Sequence, residues 1–188
     1  MAIDGIDWED RWSPYDEETY RFALEVAHPE DIVVDIGAGD LRLAVRMAPR
    51  VRRVYAIERN RAVVQRATAL HVYPDNVVVF CADALTWPLP QGITLAVLLM
   101  RHCTRDHFAT HVRRLKDVGC RRLVTNARWK MGVELIDLQC RRRYDPYLAG
   151  WYACHCGSVG FNAPDLDQIT TETLNHVVDV VVCPKCTV

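Results

Sequence analysis

No stretch of this sequence is apolar for long enough to cross a membrane as a helix. The longest apolar run, Ile93 to Met100, falls far short of the roughly 20 residues that a span requires. A secretory signal is missing as well, since Met1 to Asp16 is acidic and contains no apolar core. Together these absences give the expectation of a cytoplasmic protein with no membrane partner. Internal repeats and low-complexity tracts are absent, which excludes solenoids and fibres. With 50% hydrophobic and 25% charged residues, a disordered chain is excluded too. At 188 residues the chain suits one compact domain, or one domain with a small appendage, and it needs no disulfide framework to fold.

Net charge is almost lacking, at −1, but the sum conceals segregation. Residues 1–40 carry a net −10, residues 41–143 a net +13 and residues 144–188 a net −4. A basic middle between acidic ends can attract an anionic partner, or the ends can neutralise it within the fold.

Ser13, Pro14 and Asp16 mark a helix start, and the helical spacing of Tyr20, Ala23, Leu24 and Ala27 continues until His28, before Pro29. Ile32 to Ile36 is a short β-branched run that suits a strand buried on both faces of a parallel sheet. The alternation then repeats. Leu41–Met47 reads as a helix, Val54–Ile57 as a strand, and Arg61–Leu70 as a helix started by Asn60. Val77–Cys81, Ile93–Leu99 and Leu123–Thr125 are further strands, with a helix over Asp106–Val118. Strands alternating with helices give the expected fold class: α/β, a doubly wound and mostly parallel sheet with helices on both faces. Val133–Leu138 satisfies neither period, while Trp151–Phe161 and Val177–Val182 read as two strands.

Asp35-Ile36-Gly37-Ala38-Gly39-Asp40 follows the first strand directly and precedes a helix. Glycine suits such a turn because the backbone bends tightly and lets a ligand approach with no Cβ in the way. The dinucleotide fingerprint wants a small residue three places after Gly39, where this chain has Arg42. Val54-Tyr55-Ala56-Ile57-Glu58 ends in an acid 19 residues after Gly39, and Phe80-Cys81-Ala82-Asp83-Ala84 carries a third.

In these three signals, taken in order over Asp31 to Ala127, the chain resembles the class I S-adenosylmethionine-dependent methyltransferases, whose fold is Rossmann-like. The resemblance implies that Asp35, Gly37, Ala38 and Gly39 pass beside the methionine part of the cofactor. It implies that Glu58, with Arg59 next to it, takes the ribose hydroxyls, and that Asp83 and Ala84 meet the adenine. A carboxylate has the acceptor capacity both roles need. Asp40 stands where the family often has a third glycine and can cap the following helix. The family's base-amino enzymes place Asn or Asp, two prolines and an aromatic after the fourth strand. Here Leu99-Met100-Arg101-His102-Cys103 stands instead.

At that strand end His102 can deprotonate an acceptor and Arg101 can hold an anionic group, or both can be ordinary loop residues. Cys103 is a weaker candidate nucleophile. Trp129 suits core, lid or acceptor stacking. Arg128 stands near the same edge, and Arg141 to Arg143 form a basic run that suits a solvated helix end or a phosphate grip.

Cys154-His155-Cys156 and, 27 residues after Cys156, Cys183-Pro184-Lys185-Cys186 are the most specific local signal. Two close thiolate pairs can complete a tetrahedral shell, which zinc favours. Cys156-Gly157 and the proline of the second pair resemble the knuckles of zinc-ribbon proteins, although the first spacer is short and leaves His155 as a substitute ligand. A redox pair or free thiols are the alternatives. Cys81, Cys103, Cys120 and Cys140 read as small core residues.

The expected organisation is therefore an S-adenosylmethionine-binding domain over residues 1–143 and a zinc-binding C-terminal element over 144–188, packed on the same domain. The expected function is methyl transfer from S-adenosylmethionine to an unknown acceptor, with a lean towards RNA or another nucleic acid. A nicotinamide dehydrogenase is the rival enzyme. A non-catalytic module of the same scaffold, holding RNA or a protein, is the rival of another kind.

Overall fold

A computed structural model describes residues 15–70 and 73–186 of the chain. The expected capping residue Ser13 lies outside them, and the first helix, α1 (Glu17–Glu25), is capped by Asp16, whose carboxylate accepts from the Thr19 amide at 2.8 Å. It ends at Val26, short of the expected His28.

Six strands form the main sheet: β1 (Ile32–Ile36), β2 (Arg53–Glu58), β3 (Val77–Cys81), β4 (Leu95–Leu98), β5 (Arg122–Thr125) and β6 (Glu134–Asp137). Their spatial order is β3-β2-β1-β4-β5-β6, with β1 to β5 parallel and β6 antiparallel to β5. α1, α2 (Arg42–Met47) and α3 (Arg61–Leu70) cover one face, where Tyr20, Leu24, Met47 and Ala67 pack with Val33, Val54 and Val97. On the other face α4 (Arg105–Asp117) lays Phe108, Val112 and Leu115 against Leu98 and Leu123. This is the doubly wound α/β fold, and covering both faces is what makes β1 and β4 apolar runs, interrupted only by Asp35 of β1.

β6 occupies the segment that satisfied neither period. Ile136 is its one buried residue, because an antiparallel edge strand is sheltered on one side only. Between β3 and β4 no helix forms among the described residues, so the connection over 82–94 is an irregular loop.

The C-terminal part departs from expectation. Trp151–Phe161 is a hairpin of β7 (Gly150–Cys154) and β8 (Val159–Asn162), folded back at the first cysteine pair. Gly157 supplies the turn with φ +87°, and a Cβ there would come within 3.1 Å of Phe108 Cδ1 on α4. After the short helix α5 (Thr171–Asn175), β9 (Val177–Val180) pairs in parallel with β7. These three strands form a separate sheet rather than the two strands expected. Around residue 143 the chain is extended rather than helical, and Arg142 and Tyr144 exchange backbone hydrogen bonds with Val181 and Val182.

Candidate functional site

At the carboxyl ends of the parallel strands the chain reverses winding direction between β1 and β4, which is where open α/β sheets hold ligands. The glycine turn rises from β1 at this point. Gly37 and Gly39 have φ of +73° and +55°, and a Cβ on Gly37 would lie 2.8 Å from the Met100 Cε beyond β4. No L side chain fits there without displacing its neighbour. A third left-handed residue follows at Leu41, φ 68°, fully buried at the head of α2. One residue after Asp40, the chain places a leucine in strained backbone, its side chain anchored in the core. Asp40 accepts from the Arg42 amide at 3.2 Å and from Arg42 Nε at 2.7 Å.

The amides of Gly37, Ala38 and Gly39 are engaged. Gly37 and Ala38 both donate to the Ile57 carbonyl, at 2.8 and 3.1 Å, and Gly39 donates to Glu58 Oε2 at 3.0 Å. Glu58 Oε1 accepts from the Asn60 amide at 2.8 Å. Three successive N–H groups thus point to β2 and are not free to cradle a pyrophosphate, which works against a nicotinamide dinucleotide.

Carboxylates dominate the local field instead. Asp35 is buried with one carboxylate oxygen, Oδ2, lacking a hydrogen-bond partner among the described residues. Burial first, and then the nearby Glu58 and Asp40 charges, push its pKa up to about 7. A cationic ligand answers that arrangement, because it would stabilise the charged form that burial penalises.

On the next strand over, the Ala82 amide bonds to the Glu58 carbonyl and places Asp83 beside the same crevice, exposed, with Oδ1 accepting from the Leu85 amide at 2.8 Å. Ala84 is buried behind it and Arg59 is exposed beyond Glu58. The carboxyl ends of β1, β2 and β3 therefore bring Asp35, Gly37, Ala38, Gly39, Glu58 and Asp83 to one edge of the sheet.

Past β4, Arg101 and His102 are both exposed. The Arg101 guanidinium lies over the Tyr15 ring, 5.5 Å from its centroid, and 3.8 Å from Asp16, while its amide donates to the Tyr15 hydroxyl at 3.1 Å. Burial pushes Cys103 up to about 11, so its thiol stays protonated at neutral pH and makes a poor nucleophile. Trp129 is not core: it is 67% exposed, with Lys130 Nζ 4.4 Å from its ring centroid. Arg128 does not line a pocket either. It is fully buried and ion-paired with Glu134 and Asp179, which ties β5 to β9. Asn126, at the end of β5, is buried with both amide atoms unpartnered among the described residues. The sequence offers no signal for this beyond a polar residue at a strand end.

At the opposite edge, an open hollow of about 610 Å³ is lined by Asp31, Thr94 and Arg122. Arg122 donates to both oxygens of Asp31, so that hollow's strongest charges satisfy one another.

The second constellation is the thiol cluster. Cys154, Cys156, Cys183 and Cys186 hold their sulfurs within 4.8 Å of one another. Neighbouring pairs are 3.5 Å (Cys154–Cys186), 3.8 Å (Cys156–Cys183) and 3.6 Å (Cys183–Cys186) apart. A tetrahedron with zinc–sulfur bonds of about 2.3 Å has edges of about 3.8 Å, so the donor set fits that ion. His155 takes no place in the cluster; its Nδ1 lies 2.8 Å from Lys116 Nζ on α4. Of the remaining cysteines, Cys120 is buried, Cys103 and Cys140 are half-buried, and Cys81 is exposed rather than core.

The architecture is the Rossmann-like fold of the S-adenosylmethionine-dependent methyltransferases. No model of a known protein family matches the chain. A probable ribosomal RNA small subunit methyltransferase A of Pyrobaculum aerophilum is 35% identical over 82 residues, covering 37% of this chain and 35% of that protein. The chain thus spans about a third of the length of the curated relative it matches. Among solved structures, the precorrin 8W decarboxylase of Methanobacterium thermoautotrophicum superposes with a TM-score of 0.51 at 27% identity, covering 61% of this chain and 64% of that one. Phosphoethanolamine N-methyltransferase 1 of Haemonchus contortus, solved with S-adenosylhomocysteine, gives 0.50 at 16% identity over 57% of this chain and 24% of its own.

Proposed function

We propose that the chain binds S-adenosylmethionine in the crevice beyond β1, β2 and β3 and transfers its methyl group to a nucleic acid, RNA in the first instance. The observation that carries this reading is the Glu58 carboxylate turned back over the glycine turn, bonded to Gly39 at 3.0 Å. Each of its oxygens already accepts one backbone hydrogen and keeps acceptor capacity for a ribose hydroxyl. Asp35 supplies negative charge for the ligand's cationic methionine part, beside Gly37, Ala38 and Gly39. Asp83, with Ala84, offers an acceptor to the adenine amine, and Arg59 flanks the ribose.

When bound, the cofactor supplies an electrophilic methyl group on a sulfonium. The chain's part is to align an acceptor with it and exclude water, and alignment is where most of the acceleration arises. His102 is the proposed base where the acceptor must lose a proton, and Arg101 the proposed anion holder. The ribosomal RNA relative and the basic middle segment favour a nucleic-acid acceptor over a small molecule.

The four cysteines are proposed to hold a structural zinc. All four coordination places would be filled by sulfur, so the ion fastens the C-terminal sheet and does no chemistry.

Calorimetry with S-adenosylhomocysteine tests the cofactor reading: affinity in the micromolar range is expected, and no heat of binding overturns it. Transfer of labelled methyl from S-adenosylmethionine to RNA rather than to protein tests the acceptor.

A further inference from the structure

On the α4 face, the outer end of the main sheet is not covered by a helix, because the β3–β4 connection is a loop. Three aromatic rings fill that gap. Tyr55 of β2 and Phe80 of β3 lie with centroids 6.1 Å apart and planes tilted by 31°; Trp87 of the loop follows 5.8 Å from Phe80 at 38°. They form one continuous row along the rim of the apolar cluster beneath α4. Tyr55 and Phe80 are half-buried, and Trp87 is 40% exposed.

The row is bracketed by arginines. Arg53 stands two residues before Tyr55 on β2, so strand alternation puts it on the same face, and it is exposed. At the other end Arg114 of α4 donates to the Trp87 carbonyl. Neither has a carboxylate partner among the described residues, unlike Arg42, Arg46, Arg122 and Arg128. Partly exposed rings, with the exposed Arg53 at one end and the half-buried Arg114, which has no carboxylate partner among the described residues, at the other, suit a ligand with flat apolar faces and a phosphate chain.

We propose that this face is a platform for single-stranded RNA, with unpaired bases stacking on Trp87, Phe80 and Tyr55 and phosphates held by Arg53 and Arg114. Any base has a π-face, so the platform would be tolerant of sequence and would feed the strand along β3 towards Asp83 and the crevice. An apolar protein partner would leave the two cations unanswered, and a duplex hides its bases. The proposal rests on the reading that the acceptor is a nucleic acid.

Anisotropy of a short fluorescein-labelled oligouridylate tests it in the full chain, at fixed salt. Trp87→Ala should weaken binding about 5- to 100-fold, the worth of one base–aromatic stack, while Trp87→Phe restores most of it. Arg53→Glu should weaken it and flatten its salt dependence. Calorimetry with S-adenosylhomocysteine should be unchanged in all three, which establishes that each variant is folded. Undiminished RNA binding in Trp87→Ala and Arg53→Glu overturns the platform and leaves the acceptor reading standing. Wild-type protein that binds no oligouridylate overturns both, whereas self-association that vanishes with Trp87→Ala while RNA binding persists overturns the platform alone.

Discussion

Arg128, just past the end of β5, donates from Nη1 to Asp179 of β9 at 2.7 Å, and its other nitrogens engage Glu134 of β6. One buried guanidinium thereby joins two sheets that share no strand. Its charge is answered by two carboxylates, and theirs by it.

Removing the guanidinium leaves two acids facing one another. Arg128→Met should cost about 3–5 kcal/mol, the range for breaking a buried pair from one side. Urea denaturation should show it, and the double variant with Asp179→Asn should cost less than the sum of the two singles. A loss below about 1 kcal/mol would mean that the sheets are held together by other contacts.

Glu58→Ala should lower affinity for S-adenosylhomocysteine about 10- to 100-fold, by removing charged hydrogen bonds worth roughly 1.5–3 kcal/mol. Glu58→Gln should retain part of it. Equal calorimetric affinities in wild type and Glu58→Ala would remove the proposed ribose site.

Asp35 sets a pH dependence. Burial, Glu58 and Asp40 raise its pKa to about 7, above the ordinary 3.8, so the folded protein binds a proton that the unfolded chain releases between those values. Stability should consequently fall as pH rises from about 4 to about 7 and then level off. Affinity for the cationic S-adenosylmethionine should move oppositely, rising up to tenfold per pH unit towards neutrality as the carboxylate ionises. Asp35→Asn should flatten both trends in thermal scans and calorimetry; a wild-type affinity constant from pH 6 to 8 would exclude the ionised Asp35 as a partner.

Elemental analysis should find about one zinc per chain, and Cys183→Ser should lose it. Chelation should release the C-terminal sheet, read as new proteolytic cleavage beyond Tyr144, before the main sheet unfolds. Full metal occupancy in Cys183→Ser would contradict the ligand set.

Most of the parallel sheet is legible in the sequence because its central strands are buried on both faces and written as short apolar, β-branched runs, as in Ile32–Ile36, whose one charge is Asp35. β6 is not, since only Ile136 of Glu134–Asp137 is buried. The β7–β8 hairpin is obscured because its turn is built from cysteine, histidine and a single glycine rather than from ordinary turn residues. The glycine turn and the acids after β2 and β3 are visible as a spaced pattern, whereas Arg128 reads as a pocket residue because Asp179 lies 51 residues away. Asn126 and the aromatic row depend on which elements happen to lie above them, which local patterning does not encode.

The tie between Arg128 and Asp179 also bears on chains cut short. Every strand of the main sheet precedes Asp179 in the chain, so a product that ends short of β9 has Arg128 answered by Glu134 alone. Such a product should be cut by proteases first at its β5–β6 edge, where that answering charge is missing.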